Sequence, residues 1–115
     1  MKNLFLIIIL TFVGGAMSAQ ESKSKNAKHT IEVNGNCDQC KKRIEKAAFS
    51  VSGVKSANWD EETHQLKIIV NEEKASVLEV SKAVAKAGHD TRDVKAAVAD
   101  YDNLHHCCKY ERDVE

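Results

Sequence analysis

Proline is absent from this chain of 115 residues, and aromatic residues are few: three phenylalanines, two tyrosines and one tryptophan. Charge of one sign is not in excess either, because 17 lysines and arginines are matched by 17 aspartates and glutamates. Nucleic-acid binding needs a basic surface, so the balanced charge counts against a nucleic acid partner. No apolar run reaches the roughly 20 residues that a membrane-spanning helix needs. The length is that of one small domain.

The N-terminal segment has the layout of a cleavable secretory signal. Lys2 precedes an apolar run from Leu4 to Val13, and small residues follow the run. We therefore predict a signal peptide over residues 1–19 and a flexible polar leader over 20–28, with an uncleaved anchor as the alternative. Cleavage would place the mature protein outside the cytoplasm, in the periplasm or secreted, without a stable membrane anchor.

Strand and helix patterns alternate between residues 29 and 96. Ile31 and Val33 alternate with polar residues, as in a half-buried strand, and helical periodicity starts at Cys40. The predicted elements are a strand over 29–34, a helix capped by Asp38 and stopped by Gly53, strands over 54–59 and 66–70, a second helix that opens at Asn71, and a short fourth strand over 90–95. The predicted buried stripe of the second helix is Val77, Leu78, Ser81, Val84 and Ala85.

This order of elements predicts an α+β fold. Two helices that cover one face of a four-stranded antiparallel sheet would bury the apolar positions of all six elements. We therefore predict a ferredoxin-like βαββαβ sandwich over residues 29–96. The C-terminal tail, residues 97–115, lies outside this sandwich and carries a short helical pattern. The apolar positions of this pattern are Ala97, Val98, Tyr101 and Leu104, together with Val94 just before the tail.

Two cysteines, Cys37 and Cys40, stand between the first strand and the first helix. Their spacing lets both sulfur atoms reach one ion, and the positive end of the helix stabilises a thiolate. Two thiolates on a short loop suit a soft cation of low coordination number, such as Cu(I) or Hg(II). A structural disulfide and a redox-active pair are the alternatives.

The chain resembles the heavy-metal-associated domain family of copper chaperones, ATPase metal-binding modules and the periplasmic mercury-binding protein. The matching features are the Cys37-x-x-Cys40 loop, Gly53-Val54 after the first helix and Ala87-Gly88 before the last strand. The resemblance covers about residues 28–96. It implies a ferredoxin-like fold, metal binding by Cys37 and Cys40, and transfer by ligand exchange. The family usually has a methionine two residues before the first cysteine, where this chain has Gly35, so the loop is expected to be less well anchored.

The same cysteine spacing also occurs in thioredoxin-type oxidoreductases. That family needs a cis-proline facing the cysteines, and this chain contains no proline. The order of the predicted elements differs as well. A thiol-disulfide redox protein outside the cytoplasm is therefore the alternative function.

Further candidate ligands lie near the end of the domain and in the tail. The family resemblance makes His89 a candidate third ligand or a group that supports the ligands, and an exposed loop histidine is the alternative. His105, His106, Cys107 and Cys108 form a Cys/His tract with ligand chemistry for zinc or copper. A docked tail helix would bring Cys107 and Cys108 to the Cys37/Cys40 loop, whereas a loosely tethered tail would hold a separate site. Disulfides between the two cysteine pairs are the third alternative.

No partnered base or nucleophile is visible, so the chain is not expected to be an enzyme. We predict a monomer that sequesters or transfers a soft cation. Cu(I) is the preferred cation, followed by Hg(II) and then by Zn²⁺ or Cd²⁺. The expected partner is a metal-transporting membrane protein or another metal-binding protein.

Overall fold

A computed structural model describes residues 23–112, so the predicted signal peptide at 1–19 lies outside the described residues. The helices and strands follow one another in the predicted order up to the second helix. They are β1 (Ala27–Glu32), α1 (Asp38–Phe49), β2 (Val54–Trp59), β3 (Gln65–Val70), α2 (Val77–Lys86) and α3 (Val98–Asp102), followed by a 3₁₀ turn at His106–Cys108.

The sheet is antiparallel, with β3 between β1 and β2. α1 packs on β2 and on α2, and α2 also contacts β1, so the two long helices cover the same face of the sheet. The alternation of buried Leu66, Ile68 and Val70 along β3 turns their side chains toward these helices. The other buried apolar residues of this core include Ile31, Val33, Ile44, Ala48, Val54, Trp59, Val80 and Val84. This is the helix-and-sheet sandwich that the sequence predicts.

The predicted fourth strand at 90–95 is not formed. Within residues 23–112 the sheet has three strands, and only an isolated antiparallel bridge joins Val33 to Thr91. The segment lies beside β1, as expected, because the Asn34 N–H donates to the Asp90 carbonyl. Thr91 then closes a tight turn by exchanging hydrogen bonds with the backbone of Val94. This turn directs the chain away from the sheet edge and ends the pairing.

Both helix starts differ from the predicted ones. Cys37 is the N-cap residue of α1, and Asp38 is the first residue of the helix, where its carboxylate lies near the positive helix end. The second helix starts at Val77 and is capped by Ser76, whose hydroxyl accepts from the Glu79 N–H. Asn71 instead begins a turn, in which its side-chain oxygen accepts from the Glu73 N–H.

The buried stripe of α2 and the start of β1 are shifted as well. Leu78 is exposed, whereas Val80, which the predicted stripe omits, is fully buried. β1 begins at Ala27, slightly before the predicted strand, and the Glu72 N–H donates to the Ser24 carbonyl. The end of the predicted flexible leader is therefore paired with the domain. Among residues 23–112 no helix has the length and apolar content needed to cross a membrane.

The tail folds back onto the domain. The predicted helix is formed only as the five residues of α3, and Val98 on it is 66% exposed. Leu104 is buried, and it lies so close to Gly88 that a Cβ atom at Gly88 would stand 2.8 Å from its Cδ2 atom. Gly88 has a φ of +105°, which glycine adopts without strain. Glycine at this position permits both the end of α2 and the close approach of the tail.

Candidate metal centre

The loop after β1 carries Cys37 and Cys40 to the N-terminal end of α1. Cys37 has extended backbone angles as the N-cap residue, whereas Cys40 lies in the first helical turn and is fully buried. Their Sγ atoms are 3.4 Å apart, and the Asn36 N–H donates to the Cys40 Sγ atom over 3.4 Å. The two thiols therefore face the same point, with one partly open to solvent and the other backed by the core.

The tail adds two more sulfur atoms at the same point. Cys37 Sγ lies 3.5 Å from Cys107 Sγ and 3.6 Å from Cys108 Sγ, and the two tail sulfurs are 4.0 Å apart. The Sγ atoms of Cys37, Cys40 and Cys108 all lie within 4.8 Å of one another. All four cysteines are free thiols. The predicted approach of the tail to the cysteine loop is thus observed, and a separate, loosely tethered tail is not.

The thiols of Cys37, Cys107 and Cys108 differ in acidity. Burial raises the pKa of Cys37, but the Cys40 backbone N–H and the three neighbouring thiols lower it by more, so the pKa falls to about 7. Burial and the Cys40 and Cys37 thiols raise the pKa of Cys108 far above its usual range, and Cys37 also raises the pKa of Cys107. Near neutral pH, Cys37 is thus the most readily ionised of these three thiols and the first available to a soft cation.

Hydrogen bonds from Asn36 and Tyr110 hold the tail at the site. The Asn36 side-chain amide donates to the Lys109 carbonyl over 2.7 Å, which joins the cysteine loop directly to the tail. The hydroxyl of buried Tyr110 donates to the Gly88 carbonyl over 3.0 Å and accepts from the Asp90 N–H over 2.7 Å. Cys108 is therefore fixed on both sides, by the loop and by the segment after α2.

A buried ion pair completes the attachment of the tail. The Arg112 guanidinium binds both carboxylate oxygens of Asp90, over 2.9 and 2.8 Å, and donates to the Ala96 carbonyl over 2.7 Å. It also lies 4.8 Å from the ring centre of Tyr101, whose hydroxyl donates to the Tyr110 carbonyl. Burial raises the pKa of Asp90, but Arg112 and the Ala96 N–H lower it by more. Breaking such a pair costs about 3–5 kcal/mol.

Sequence reasoning missed these attachment residues. Asp90, Tyr101, Tyr110 and Arg112 were not predicted to act together, because the contacts between them depend on the turn that replaces the fourth strand. The one available signal is that Tyr110 and Arg112 lie within four residues of Cys108.

The indole of Trp59 packs against the cysteine loop on the side of the core. Trp59 is 1% exposed, and the indole N–H donates to the Val33 carbonyl over 3.0 Å. A Cβ atom at Gly35 would lie 3.1 Å from both Trp59 Cη2 and Cys40 Cβ. The indole thus fills the space beside Gly35, where the family usually has a methionine.

His89 lies in the interior and is not one of the clustered residues. Its side chain is fully buried, its Nδ1 atom is 2.8 Å from the Asn34 carbonyl oxygen, and its ring stacks on Tyr110 at 5.9 Å between ring centres. Its Nε2 atom is buried and has no hydrogen-bond partner among the described residues. This position does not match the exposed loop histidine, and His89 is not in the group of potential ligands. Its contacts with Asn34 and Tyr110 fit the remaining reading, a group that supports the ligands.

The tail histidines do not join the sulfur cluster. His105 and His106 are both exposed, and neither belongs to the group of potential ligands formed by Cys37, Cys40 and Cys108. The His105 backbone carbonyl accepts from the Cys108 N–H over 2.8 Å, so this residue shapes the turn that carries Cys108. Of the seven predicted ligands, the four cysteines converge and the three histidines do not.

The buried position of His89 predicts acid-dependent stability. Burial lowers its pKa, and the Arg43 charge lowers it further, against the opposing effects of the Asn34 carbonyl and Asp90. The unfolded chain therefore takes up a proton before the folded one. The free energy of unfolding should fall as the pH drops from about 6.5 through the pKa of the folded state. Urea unfolding of the apo protein between pH 8 and pH 5 measures this.

The variant His89→Gln is the control, because it keeps the other four histidines and removes only the buried one. Its unfolding free energy should depend less on pH over the same range. The Asp90 carboxyl does not interfere, because its pKa is lowered and its contribution is lost only below about pH 4. Identical pH dependence of the two proteins would contradict the role of His89.

Comparison with known proteins places the domain in a described family. The profile of the family described as "Heavy-metal-associated domain" matches residues 30–90. A curated relative, the copper chaperone CopZ of Staphylococcus haemolyticus, is 32% identical over 63 residues, which are 54% of this chain and 93% of the relative. The cysteine loop lies inside the matched region, whereas Cys107 and Cys108 lie beyond it.

Solved structures share the same fold. The Cu(I)-loaded N-terminal domain of a potential copper-translocating P-type ATPase from Bacillus subtilis is 28% identical, with a TM-score of 0.55, covering 57% of this chain and 84% of that one. Oxidized MerP from Ralstonia metallidurans CH34 is 29% identical, with a TM-score of 0.50, covering 56% of this chain and 94% of that one. Both similarities cover little more than half of this chain.

Proposed function

Since this chain belongs to the heavy-metal-associated domain family, we propose that it binds a soft metal cation through Cys37 and Cys40 and carries or sequesters it. The cation is the cargo of the protein, and no chemical reaction is catalysed. The observation that carries the proposal is the cluster of free thiols at the N-terminal end of α1.

The chemistry of the cluster supports a soft cation. The sulfur atoms of Cys37 and Cys40 lie together, and the pKa of Cys37 of about 7 provides a thiolate near neutral pH. Thiolates select soft cations such as Cu(I) over Mg²⁺ and Ca²⁺, which require oxygen ligands. Cu(I) is the preferred cargo, because the relative from Staphylococcus haemolyticus is named a copper chaperone. Hg(II), Zn²⁺ and Cd²⁺ are the next candidates by thiolate chemistry.

Transfer to a second protein is part of this proposal. Cys37 is half-buried at the rim of the site, so a thiolate of a partner can reach a cation held there. A metal-transporting membrane protein with a similar cysteine loop is the proposed partner, in view of the similar domain of a P-type ATPase. The N-terminal pattern of residues 1–19 supports delivery outside the cytoplasm, where the protein would act as a monomer.

Counting thiols with and without copper tests the proposal. The reduced full chain is titrated anaerobically with Cu(I), treated with a thiol reagent, and then stripped of copper with a chelator. Copper should protect thiols from the reagent, and the same thiols should return in reduced form after the chelator is added. Cys37→Ser is the matched control and should have fewer protected thiols than the wild-type protein. The redox alternative would be favoured if copper did not protect the thiols from the reagent and the thiols instead cycled between the reduced form and a disulfide.

A further inference from the structure

Three of the four sulfur atoms have the spacing of a single three-coordinate site. Cys37 Sγ is 3.4 Å from Cys40 Sγ and 3.6 Å from Cys108 Sγ, and all three atoms lie within 4.8 Å of one another. With metal–sulfur bonds of about 2.3 Å, the sulfurs of a planar trigonal site stand about 4 Å apart. The three thiols can therefore reach this arrangement with small side-chain movements.

Cys108 is held at the site by contacts that do not depend on a metal. Its side chain is 2% exposed, and the next residue, Lys109, accepts a hydrogen bond from the cysteine loop through Asn36. Tyr110 and Arg112 then attach the tail to the segment after α2 through Asp90. A thiol held in this way loses little conformational freedom when it binds a cation, which favours binding.

The other potential ligands of the tail are placed differently. Cys107 is exposed and lies outside the three-sulfur group, with its Sγ atom 3.4 Å from the side-chain oxygen of Gln39. His105 and His106 are exposed as well. Cys108 is therefore the only tail residue in the group that the described part of the chain forms.

We propose that Cys108 is the third ligand, so that the tail closes the cation site of the cysteine loop with a sulfur from outside the family domain. This inference rests on the proposed function, and it names the coordination of the same cargo. Each thiol that binds gives up its proton to solvent, and no oxidation occurs. Three internal thiolates complete the coordination of the cation, so a partner's thiolate has to displace one of them. The tail therefore favours retention of the cation until a partner displaces Cys108.

X-ray absorption of the Cu(I)-loaded full chain tests the coordination directly. The wild-type protein is expected to show three sulfur neighbours around copper. The variant Cys108→Ser should show two, or a third that comes only from an added small thiol. It should also bind Cu(I) at least about tenfold more weakly in competition with a chelator. The matched variant Cys107→Ser changes the neighbouring thiol in the same way and should keep three sulfur neighbours.

The possible outcomes separate this inference from the proposed function. Two sulfur neighbours in the wild-type protein would overturn the role of Cys108 and leave binding by Cys37 and Cys40 intact. Loss of a neighbour in Cys107→Ser but not in Cys108→Ser would overturn it as well. Failure of the wild-type chain to bind Cu(I) would instead overturn the proposed function. If Cys108→Ser does not fold, the wild-type and Cys107→Ser spectra still decide the question: three sulfur neighbours in both support Cys108, and a loss in Cys107→Ser overturns its role.

Discussion

A variant in which both Cys37 and Cys40 are replaced by serine is expected to lose tight Cu(I) binding. Hydroxyl groups are poor ligands for a soft cation, and the remaining thiols would be those of the tail alone. Cys107 and Cys108 are adjacent in sequence, and their sulfur atoms are 4.0 Å apart on a short turn. We expect the affinity for Cu(I) to fall by more than about a thousandfold, or about 4 kcal/mol. Competition with a chromophoric Cu(I) chelator measures the change.

The fold of this double variant should survive with reduced stability. Cys37 is half-buried at the rim, but Cys40 is fully buried and packs in the core. A serine hydroxyl at position 40 would cost about 1–3 kcal/mol unless it finds a hydrogen-bond partner. Urea unfolding of the apo protein separates this loss from the loss of binding. The reciprocal variant, with Cys107 and Cys108 both replaced by serine, is the control and should still bind Cu(I) through the loop.

Retention of wild-type affinity in the Cys37/Cys40 variant would mean that the primary site has been placed wrongly. A loss of affinity that is equal in the two double variants would instead indicate one indivisible site. The larger loss is expected in the loop variant, because the pKa of Cys37 is lowered whereas the pKa values of both tail thiols are raised.

The sequence predicted the sandwich because its signals are local. Alternation at Leu66, Ile68 and Val70, and the glycine after α1, depend only on neighbouring residues. The prediction of a fourth strand is wrong for a reason that periodicity does not reveal. Thr91 bonds to Val94 instead of continuing the pairing with β1, and Asp90 is held by Arg112 from the tail. A strand pattern cannot show that a distant residue competes for the same segment.

The sequence predicts that the cysteines of the candidate site lie close together, and the structure confirms this. The predicted positions of the histidines beside them are not observed. The spacing of Cys37 and Cys40 indicates that both sulfur atoms can reach one cation. The helical pattern of the tail indicates that Cys108 can lie close to the cysteine loop. The burial of His89 depends on Tyr110, which the family resemblance does not cover, because the family profile ends at residue 90. The convergence of the cysteines could thus be predicted from short motifs, whereas the residues that position them could not.

Trp59 contributes both to the stability of the core and to the geometry of the candidate site. It ends β2, and its backbone N–H donates to the Glu45 carboxylate while its carbonyl accepts from Lys41, both on α1. Its indole N–H donates to the Val33 carbonyl just before the cysteine loop, and its ring stacks on His64 with 5.7 Å between ring centres. The same side chain therefore contacts the sheet and the loop.

Trp59→Ala is expected to destabilise the protein by about 3–5 kcal/mol, the usual cost of truncating a buried aromatic residue. Total stabilities of small domains are about 5–15 kcal/mol, so a large fraction of the molecules could unfold. Phe49→Ala is the matched control, because Phe49 is 59% exposed on α1 and its loss should change the unfolding free energy by about 0.5 kcal/mol or less. Urea unfolding of the two apo variants provides the comparison.

Trp59→Phe separates support of the loop from overall stability. Phenylalanine keeps much of the apolar volume but leaves the buried Val33 carbonyl without its donor, at a cost of about 1–3 kcal/mol. The folded variant should bind Cu(I) more weakly, because the shorter ring no longer fills the space beside Gly35 and Cys40. If Trp59→Ala costs no more than Phe49→Ala, the indole does not support the core. If Trp59→Phe keeps wild-type affinity for Cu(I), the cysteine loop holds its geometry without the indole.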